Sequence, residues 1–415
     1  MVKRVLAIIA ILICTSFAWA ILGSTIFYRT YSLDPVLRSR VNSTWGTDQL
    51  QDAPTATYIL TSFREVTSAE DGKVVTRAVE EREVHSLDVE KTRAQAALHL
   101  DYRRKGLLWY STYRVHFEGN YQFTNADDQP RRVTFTLHLP AEQAIYDDMA
   151  FTIDGKPVAI ANAKADAYAV ADIAPHQTAS LGVEYRSQGL GSWRYSFGNS
   201  VNQVRDFELR LSTDFAGFDF PEGTLSPTEE HPASAGWDLV WKYRNLVSGY
   251  QIGLNMPEKL QPGPLTGRIS YFAPVSLLFF FFILFMLTTI RGIDLHPMNY
   301  FFLACAFFSF HLLMAYLVDQ ISIHIAFVIC SCVSVFLVVS YLRLVVGMRF
   351  AAVEAGLAQF VYLILFSYAF FFEGFTGLAI TVGAIISLFV AMQLTGRIRW
   401  TEKFSTAATS SVGLR

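Results

Sequence analysis

Residues Arg291–Tyr300, "RGIDLHPMNY", stand between two strongly apolar runs, "LLFFFFILFMLTTI" (Leu277–Ile290) and "FFLACAFFSFHLLMAYLV" (Phe301–Val318). An arginine, an aspartate, a histidine and a proline so close together read either as a catalytic or ligand site or as the turn between two membrane helices. Length decides between them. A membrane-spanning helix needs roughly 20 mostly apolar residues, and the chain supplies them on both sides of the decapeptide, at 271–290 and 299–318. Residues 5–24, 321–342, 351–372 and 375–396 meet the same criterion. Six spans are predicted, one N-terminal and five clustered towards the C-terminus. Tyr271, Tyr300, Tyr316, Tyr341 and Trp400 fall near span ends, where amphipathic rings prefer the interface.

Composition agrees with a divided chain. The 415 residues are 52% hydrophobic and 17% charged, with a mean hydropathy of +0.29, against about 25% charged in ordinary globular domains. The deficit is concentrated at 5–24 and beyond 271, whereas the stretch between carries charges throughout, for example Glu80, Glu81, Arg82 and Glu83. A soluble domain joined to a membrane domain is expected. The net charge of −2 gives no reason to expect nucleic acid as a partner. Cys14, Cys305, Cys330 and Cys332 all lie in apolar segments, which excludes a disulfide framework for the soluble part. Cys330-Ser-Cys332 lacks metal-ligand spacing and suits a helix contact.

Orientation follows from lysine and arginine in the short connections. Lys3 and Arg4 precede the first span, Arg291 lies between the second and third, Arg343 and Arg349 between the fourth and fifth, and Arg397, Arg399 and Lys403 follow the sixth. "VDQ" (318–320) and "EGFTG" (373–377) contain neither lysine nor arginine. Cytoplasmic termini put every basic cluster on one side and place residues 25–268 outside the cytoplasm. The expected domains are an anchor (1–24), an extracytoplasmic β domain (25–268), a five-helix membrane domain (269–404) and a short cytoplasmic tail (405–415). "MVKRVLAIIAILICTSFAWA" also resembles a cleavable signal peptide ending Ala18-x-Ala20. Its apolar stretch exceeds a typical signal core, which favours a retained anchor. Ile13 before Cys14 is not the small residue that lipoprotein processing prefers.

Residues 25–55 read as a lead-in with few apolar runs. Beyond them the dominant period is two, the signature of half-buried strands. "VTFTLHL" sets Val133, Phe135, Leu137 and Leu139 on one face and Thr134, Thr136 and His138 on the other, and "SLGVEY" does the same with Leu181, Val183 and Tyr185. Asp154-Gly155 is a two-residue hairpin signal. "LDVEKTRAQAALHL" suits a helix or a strand. An all-β domain is expected, either an antiparallel β-sandwich or two stacked sandwich-like units. It holds no H-E-x-x-H, G-x-S-x-G, Walker or G-x-G-x-x-G motif. His85, His99, His116, His176 and His231 share no short spacing, so no metal site is expected among them. The carboxylate pairs Asp127-Asp128, Asp147-Asp148 and Glu229-Glu230 sit in turn-like contexts and read as solvated. No cofactor is expected, and a binding module is favoured over an enzyme.

Ionisable groups within spans are functional hypotheses by default. His311 is the sharpest, at the middle of the third span. A hydrogen bond to Ser331, Ser334 or a backbone carbonyl accounts for it structurally; a proton or ligand role is the alternative. His324 and Glu354 lie near span ends, and Gln359 and Gln393 suit interhelical hydrogen bonds.

The layout, together with three short markers, resembles the CreD family of bacterial inner-membrane proteins. Its His-Pro-x-Gln-Tyr motif is matched by His296, Pro297, Met298, Asn299 and Tyr300, with Asn299 in place of glutamine. Its Ser-Glu-His turn corresponds to Val318-Asp319-Gln320, and its closing Thr-Arg-x-Ile-Asp-Trp-like sequence to "TGRIRW", matching at Thr395, Ile398 and Trp400 with Arg399 where the acid stands. The resemblance covers 270–404 and is architectural over 25–268. It implies a divergent inner-membrane protein linked to envelope integrity and stress response, without an established enzymatic activity. Its partners would be the bilayer and an envelope protein, lipid or glycan held by the outer domain. A membrane enzyme or small-molecule or ion transporter using His311 and nearby polar residues is the competing reading. Within "RGIDLHPMNY", Pro297 starts a helix, Asp294 faces its positive end, and His296 alone is left unexplained by helix construction.

Overall fold

The computed structural model describes residues 2–32, 34–70, 73–142, 144–163, 165–198, 202–372 and 374–396. The described residues fall into two compact units: those up to Pro35, Gly106–Leu108 and those from Leu260 onward form one, and those within Val36–Lys105 and Trp109–Lys259 form the other.

Among the described residues the helices are α1 (Val2–Tyr31), α2 (Asp34–Trp45), α3 (Pro262–Arg291), α4 (Pro297–Leu317), α5 (Ile323–Val345), α6 (Phe350–Phe371) and α7 (Thr376–Thr395). The first strands are β1 (Gln49–Asp52), β2 (Thr55–Glu70), β3 (Lys73–Leu87), β4 (Val89–Lys105), β5 (Leu108–Thr124) and β6 (Arg131–His138). Then come β7 (Tyr146–Ile153), β8 (Lys156–Val158), β9 (Ala161–Ala163), β10 (Asp166–Ile173) and β11 (Thr178–Leu190). The last are β12 (Ser192–Ser196), β13 (Asn202–Thr213), β14 (Glu229–Pro232), β15 (Trp237–Ser248) and β16 (Ile252–Asn255).

The β unit contains an eight-stranded sheet ordered β14-β15-β13-β4-β5-β11-β7-β8, a five-stranded sheet β3-β2-β6-β10-β9 and a three-stranded sheet β1-β12-β16. One core joins them: Val115, Phe117, Tyr185 and Leu209 from the large sheet meet Phe135, Leu137 and Ala167 from the second and Trp193 and Leu254 from the third. This is the sandwich-like domain that the alternation predicts, but it is not wholly antiparallel: β4 pairs with β13, and β1 with β12, in parallel. Val133, Phe135, Leu137, Leu181, Val183 and Tyr185 are buried, while Thr134 and Thr136 on the other face are only half-buried. Asp154 and Gly155, at φ 50° and 74°, turn Ile153 back onto Lys156, as their sequence foretells. The ambiguous segment is β4, which buries Thr92, Ala94, Ala96 and Leu98 at period two and pairs in parallel with β13. Buried hydroxyls have partners in this core: Tyr113 donates to the Ser192 carbonyl at 2.6 Å and Tyr185 to Gln51 Oε1 at 2.6 Å.

The lead-in is more ordered than expected. α1 continues to Tyr31, and α2 follows, with Asp34 favourably placed in its first turn and Pro35, which needs no helix hydrogen bond there, beside it.

In the helical unit, six helices are long and apolar enough to cross a membrane: α1 and α3 through α7. Their outward faces expose large apolar side chains, such as Phe17, Phe336, Ile385 and Phe389, each over half exposed. Continuous surface of this kind suits lipid rather than water. α3 begins at Pro262 and ends on Gly292 at φ 68°, a left-handed cap. α1 lies against both α3 and α4. Arg4 near its start bonds Asp294 in the α3–α4 connection at 3.0 Å, and Arg29 near its end bonds Asp319 in the α4–α5 connection at 2.7 Å. α1 therefore runs parallel to α4. Close approach to α3 depends on small residues, since a Cβ at Gly267 would stand 2.9 Å from the Phe27 ring.

Candidate functional site

The family-motif residues do not converge on one site. At the start of α4, His296 Nδ1 accepts a hydrogen bond from the Met298 amide at 3.2 Å, so the histidine is the N-cap and Pro297 the first helical residue. Asn299 Oδ1 accepts from the Tyr341 hydroxyl at 2.7 Å, tying α4 to α5. Tyr300 is fully buried, edge-on to Phe281 at 5.3 Å, with the Arg4 guanidinium 5.9 Å from its ring centre. Arg291 pairs with Glu354 of α6. Asp319 lies at the opposite end with Arg29, whose guanidinium also stands 5.7 Å from the Tyr316 ring. Trp400 lies outside the described residues.

His311 occupies the middle of the bundle with 1% of its surface exposed. Its Nδ1 lies 3.3 Å from the Phe307 carbonyl, the backbone option expected from sequence. Trp19 meets its ring edge-on at 5.8 Å and Phe310 at 4.9 Å. The nearby hydroxyls bond elsewhere. Ser331 donates to the Phe327 carbonyl at 2.7 Å. Ser334 donates to the Ala306 carbonyl at 2.7 Å and accepts from Gln359 Nε2 at 2.8 Å. Gln359 sits between two wider, π-type stretches of α6, Phe350–Ala355 and Phe360–Leu365. This chain joins α6, α5 and α4 through the buried Ser334 and Gln359 side chains; it satisfies the Gln359 Nε2 donor, while Gln359 Oε1 has no hydrogen-bond partner among the described residues. Of its members, sequence singled out Ser334 and Gln359 but not the link between them. Sequence marks Arg4 only as a charge flanking a span and gives no signal for Arg29; their partners are visible only in three dimensions.

In the β unit the histidines are dispersed, and each has a carboxylate. His138 Nδ1 lies 2.5 Å from Asp166, His176 Nε2 3.0 Å from Asp128, and His231 Nε2 3.4 Å from Glu229. His99 pairs with Asp214, and His85 with Glu83 at 3.4 Å. His116 has two carboxylates, Glu184 at 3.0 Å and Glu118 at 3.4 Å.

The most unusual surface of this unit is the β2–β3 hairpin. β2 pairs with β6 only over Thr55–Thr57, yet its pairing with β3 runs from Ala56↔Leu87 to Glu70↔Lys73. Beyond Thr57 the two strands form an arm. Residues 61–64 and 79–84 are exposed on both faces. Ile59 is 61% exposed, its direct cross-strand partner Val84 69% and Phe63 73%. A two-stranded ribbon alone is marginal in water, and exposed apolar residues on it mark an interaction surface.

Fold and side-chain placement thus define a polytopic helical membrane protein carrying a large β domain. The sequence model described as inner membrane protein CreD matches residues 1–401, nearly the whole chain. The chain belongs to the CreD family. No curated protein matches it. Among solved structures, a candidate nutrient-binding protein of Legionella pneumophila is similar at 12% identity and a TM-score of 0.31, over 47% of this chain and 74% of that one. An M1 zinc metallopeptidase of Deinococcus radiodurans, as a mutant bound to a Tyr-Ser-Ala substrate, is similar at 13% identity and 0.25, over 41% and 42%. Likenesses this slight carry no functional argument.

Proposed function

We propose that this inner-membrane protein supports cell-envelope integrity under stress without catalysing a reaction, its β domain lying outside the cytoplasm and binding an envelope protein through the β2–β3 arm. The observation that carries the binding role is the arm itself, solvent-exposed on both faces with Ile59, Phe63 and Val84 uncovered. What supports the orientation is charge: Arg4 and Arg291 belong to one end of the bundle, at the α3–α4 connection, and basic residues favour the cytoplasmic side. What supports a retained anchor is Trp19, fully buried against α4 in the helical core. On this reading the stretch expected outside the cytoplasm, 25–268, narrows to the residues between the end of α1 at Tyr31 and the start of α3 at Pro262, and the C-terminal residues are cytoplasmic. The transporter or enzyme reading rests on His311, whose enclosure by Trp19, Phe307 and Phe310 favours a packing role.

The test uses a photo-crosslinking amino acid at Phe63 or Val84 of the full chain in native membranes, with Val247, also exposed, as control. Residues 60–83 are replaced in a second variant by Asn-Gly, which closes Ile59 onto Val84 as a tight turn. A discrete protein adduct at 63 and 84 but not 247, and loss of envelope-stress tolerance in the shortened variant, are expected. An unchanged adduct at 84 and unchanged tolerance after shortening would sink the reading.

A further inference from the structure

The outer, polar face of the eight-stranded sheet carries a charge arrangement that its own side chains do not balance. His116 and Glu118 share one face of β5, two residues apart, as period two requires. Glu184 on β11 is the direct cross-strand partner of Glu118. Like charges directly opposite each other in an antiparallel pair are destabilising. Three nearby arginines are engaged elsewhere: Arg186 with Asp148 at 2.8 Å, Arg93 with Asp206 at 2.5 Å and Arg210 with Glu208 at 2.8 Å. Among the described residues, the ion-pair partner of both glutamates is His116. A single imidazolium brings at most one positive charge to two facing carboxylates; a divalent cation brings two.

The geometry fits a small cation. One donor atom each from His116, Glu118 and Glu184 lie within 4.8 Å of one another. His116 Nε2 stands 3.0 Å from Glu184 Oε1 and 3.4 Å from Glu118 Oε1. Two ligands at about 2.1 Å from a tetrahedral ion are roughly 3.4 Å apart, so small side-chain adjustments close the set. The Gln95 amide donates to Glu118 Oε2, which steadies that carboxylate from behind, the kind of support that metal-binding carboxylates ordinarily have. Pairing of β11 with β7 shifts register just after Glu184, and such bulges re-aim side chains beside functional sites. Beside the trio a cleft of about 470 Å³, lined in part by Glu118 and Glu184, leaves room for a water or an exogenous fourth ligand. An imidazole with two carboxylates suits zinc and its neighbours in the first transition row better than calcium or magnesium, which seek oxygen alone.

We propose that His116, Glu118 and Glu184 form a three-ligand site for a zinc-class divalent cation on the polar face of the β domain. The proposal does not depend on the arm or on any partner. Its test is a calorimetric titration of chelator-stripped full-length protein, purified in detergent without a histidine tag, using zinc(II), with cobalt(II) absorption as a second readout. One equivalent of saturable binding is expected, with a cobalt(II) d–d spectrum of four- or five-coordinate type. His116→Ala and Glu184→Gln should each weaken binding at least tenfold, Gln95→Ala about tenfold, and His138→Ala not at all. The metal-stripped Glu184→Gln variant should melt no lower than the stripped parent, because it relieves the facing charges, which separates loss of ligand from loss of fold. Absence of stoichiometric binding, or equal binding by the His116→Ala/Glu184→Gln double variant and the parent, would overturn the proposal. So would equal loss in His138→Ala, which would put the ion elsewhere.

Discussion

Trp19→Ala tests whether α1 is an integral part of the helical unit or a segment that can be dispensed with. The indole is fully buried and meets Phe308 edge-on at 5.1 Å, His311 at 5.8 Å and Phe307 at 6.2 Å. Its Nε1 has no hydrogen-bond partner among the described residues, so truncation removes packing rather than a hydrogen bond. In a water-soluble core such a change costs about 3–5 kcal/mol. Within a bilayer the transfer part of that cost shrinks, because lipid tails are as apolar as the bundle interior. The cavity part remains, about 24 cal/mol per Å³, hence about 2–3 kcal/mol for a void of roughly 100–130 Å³. That is about a 30- to 140-fold shift in the unfolding equilibrium. Phe17→Ala is the control: on the same helix but 66% exposed, it should change stability by less than about 0.5 kcal/mol. The assay is reversible SDS unfolding of the full chain in mixed micelles, followed by circular dichroism so that losing a tryptophan does not alter the signal. If Trp19→Ala stayed within about 0.5 kcal/mol of the parent, or merely matched Phe17→Ala, α1 would not be packed as described. Cleavage of the N-terminal segment would then regain its standing.

Three further outcomes follow from named contacts. A double-mutant cycle of Arg29→Ala and Asp319→Ala should give a coupling of up to about 1 kcal/mol, because the pair is partly exposed. That coupling should fade between 0.1 and 1 M salt, as the screening length drops from about 10 to 3 Å, and a salt-independent value would contradict it. In the β unit, hydrogen bonds from Arg131, Arg93 and Arg210 hold Asp127, Asp206 and Glu208 below their ordinary carboxylate values. Depressed folded values mean that this stabilisation is complete above the unfolded values near 4 and disappears as pH falls through the folded ones. Melting temperatures should therefore drop below pH 4, and Arg93→Gln should lessen that acid-dependent drop; an unaltered slope would refute the assignment. Burial raises Tyr113, Tyr121, Tyr185 and Tyr195, and pushes Tyr146 up to about 12. Raised folded values leave stability intact below pH 10 and erode it as pH climbs above 10. Tyr185→Phe should flatten that alkaline loss, while costing about 1–3 kcal/mol at neutral pH by stranding buried Gln51; an unchanged alkaline slope would count against the shift.

The parts of the fold legible in sequence are those fixed by local patterns. A run of some 20 apolar residues needs no knowledge of its neighbours to be read as a span, and five of the predicted spans lie close to α3 through α7. Alternation likewise exposes strands with one buried face, as at Val133, Phe135 and Leu137. β4 stayed ambiguous because its buried positions are Thr92, Ala94, Ala96 and Leu98, small or mixed residues that suit a helix as well. What makes it a strand is non-local, its pairing with β13 across more than a hundred residues. α2 was missed for another reason. Among its described residues only Val41 is buried, and too little of the helix is apolar to give a periodic signal.

Side-chain partners are harder still, because they depend on which elements meet. Arg4 and Asp294, like Arg29 and Asp319, are separated by 290 residues. No local pattern distinguishes these arginines from any others that flank a span, so "RGIDLHPMNY" could be read as a helix start without its tie to α1. The His116, Glu118 and Glu184 trio shows where legibility stops. His116-x-Glu118 puts two donors on one face of any strand, but Glu184, 68 residues beyond His116, joins them only through the β5–β11 register. Val183 and Tyr185 fix that register by filling the core on either side of Glu184. A slip of one residue would turn Glu184 inward and both apolar side chains outward. The same burial that stabilises the sheet therefore sets two glutamates face to face, and this charge conflict, rather than any motif, points to a cation.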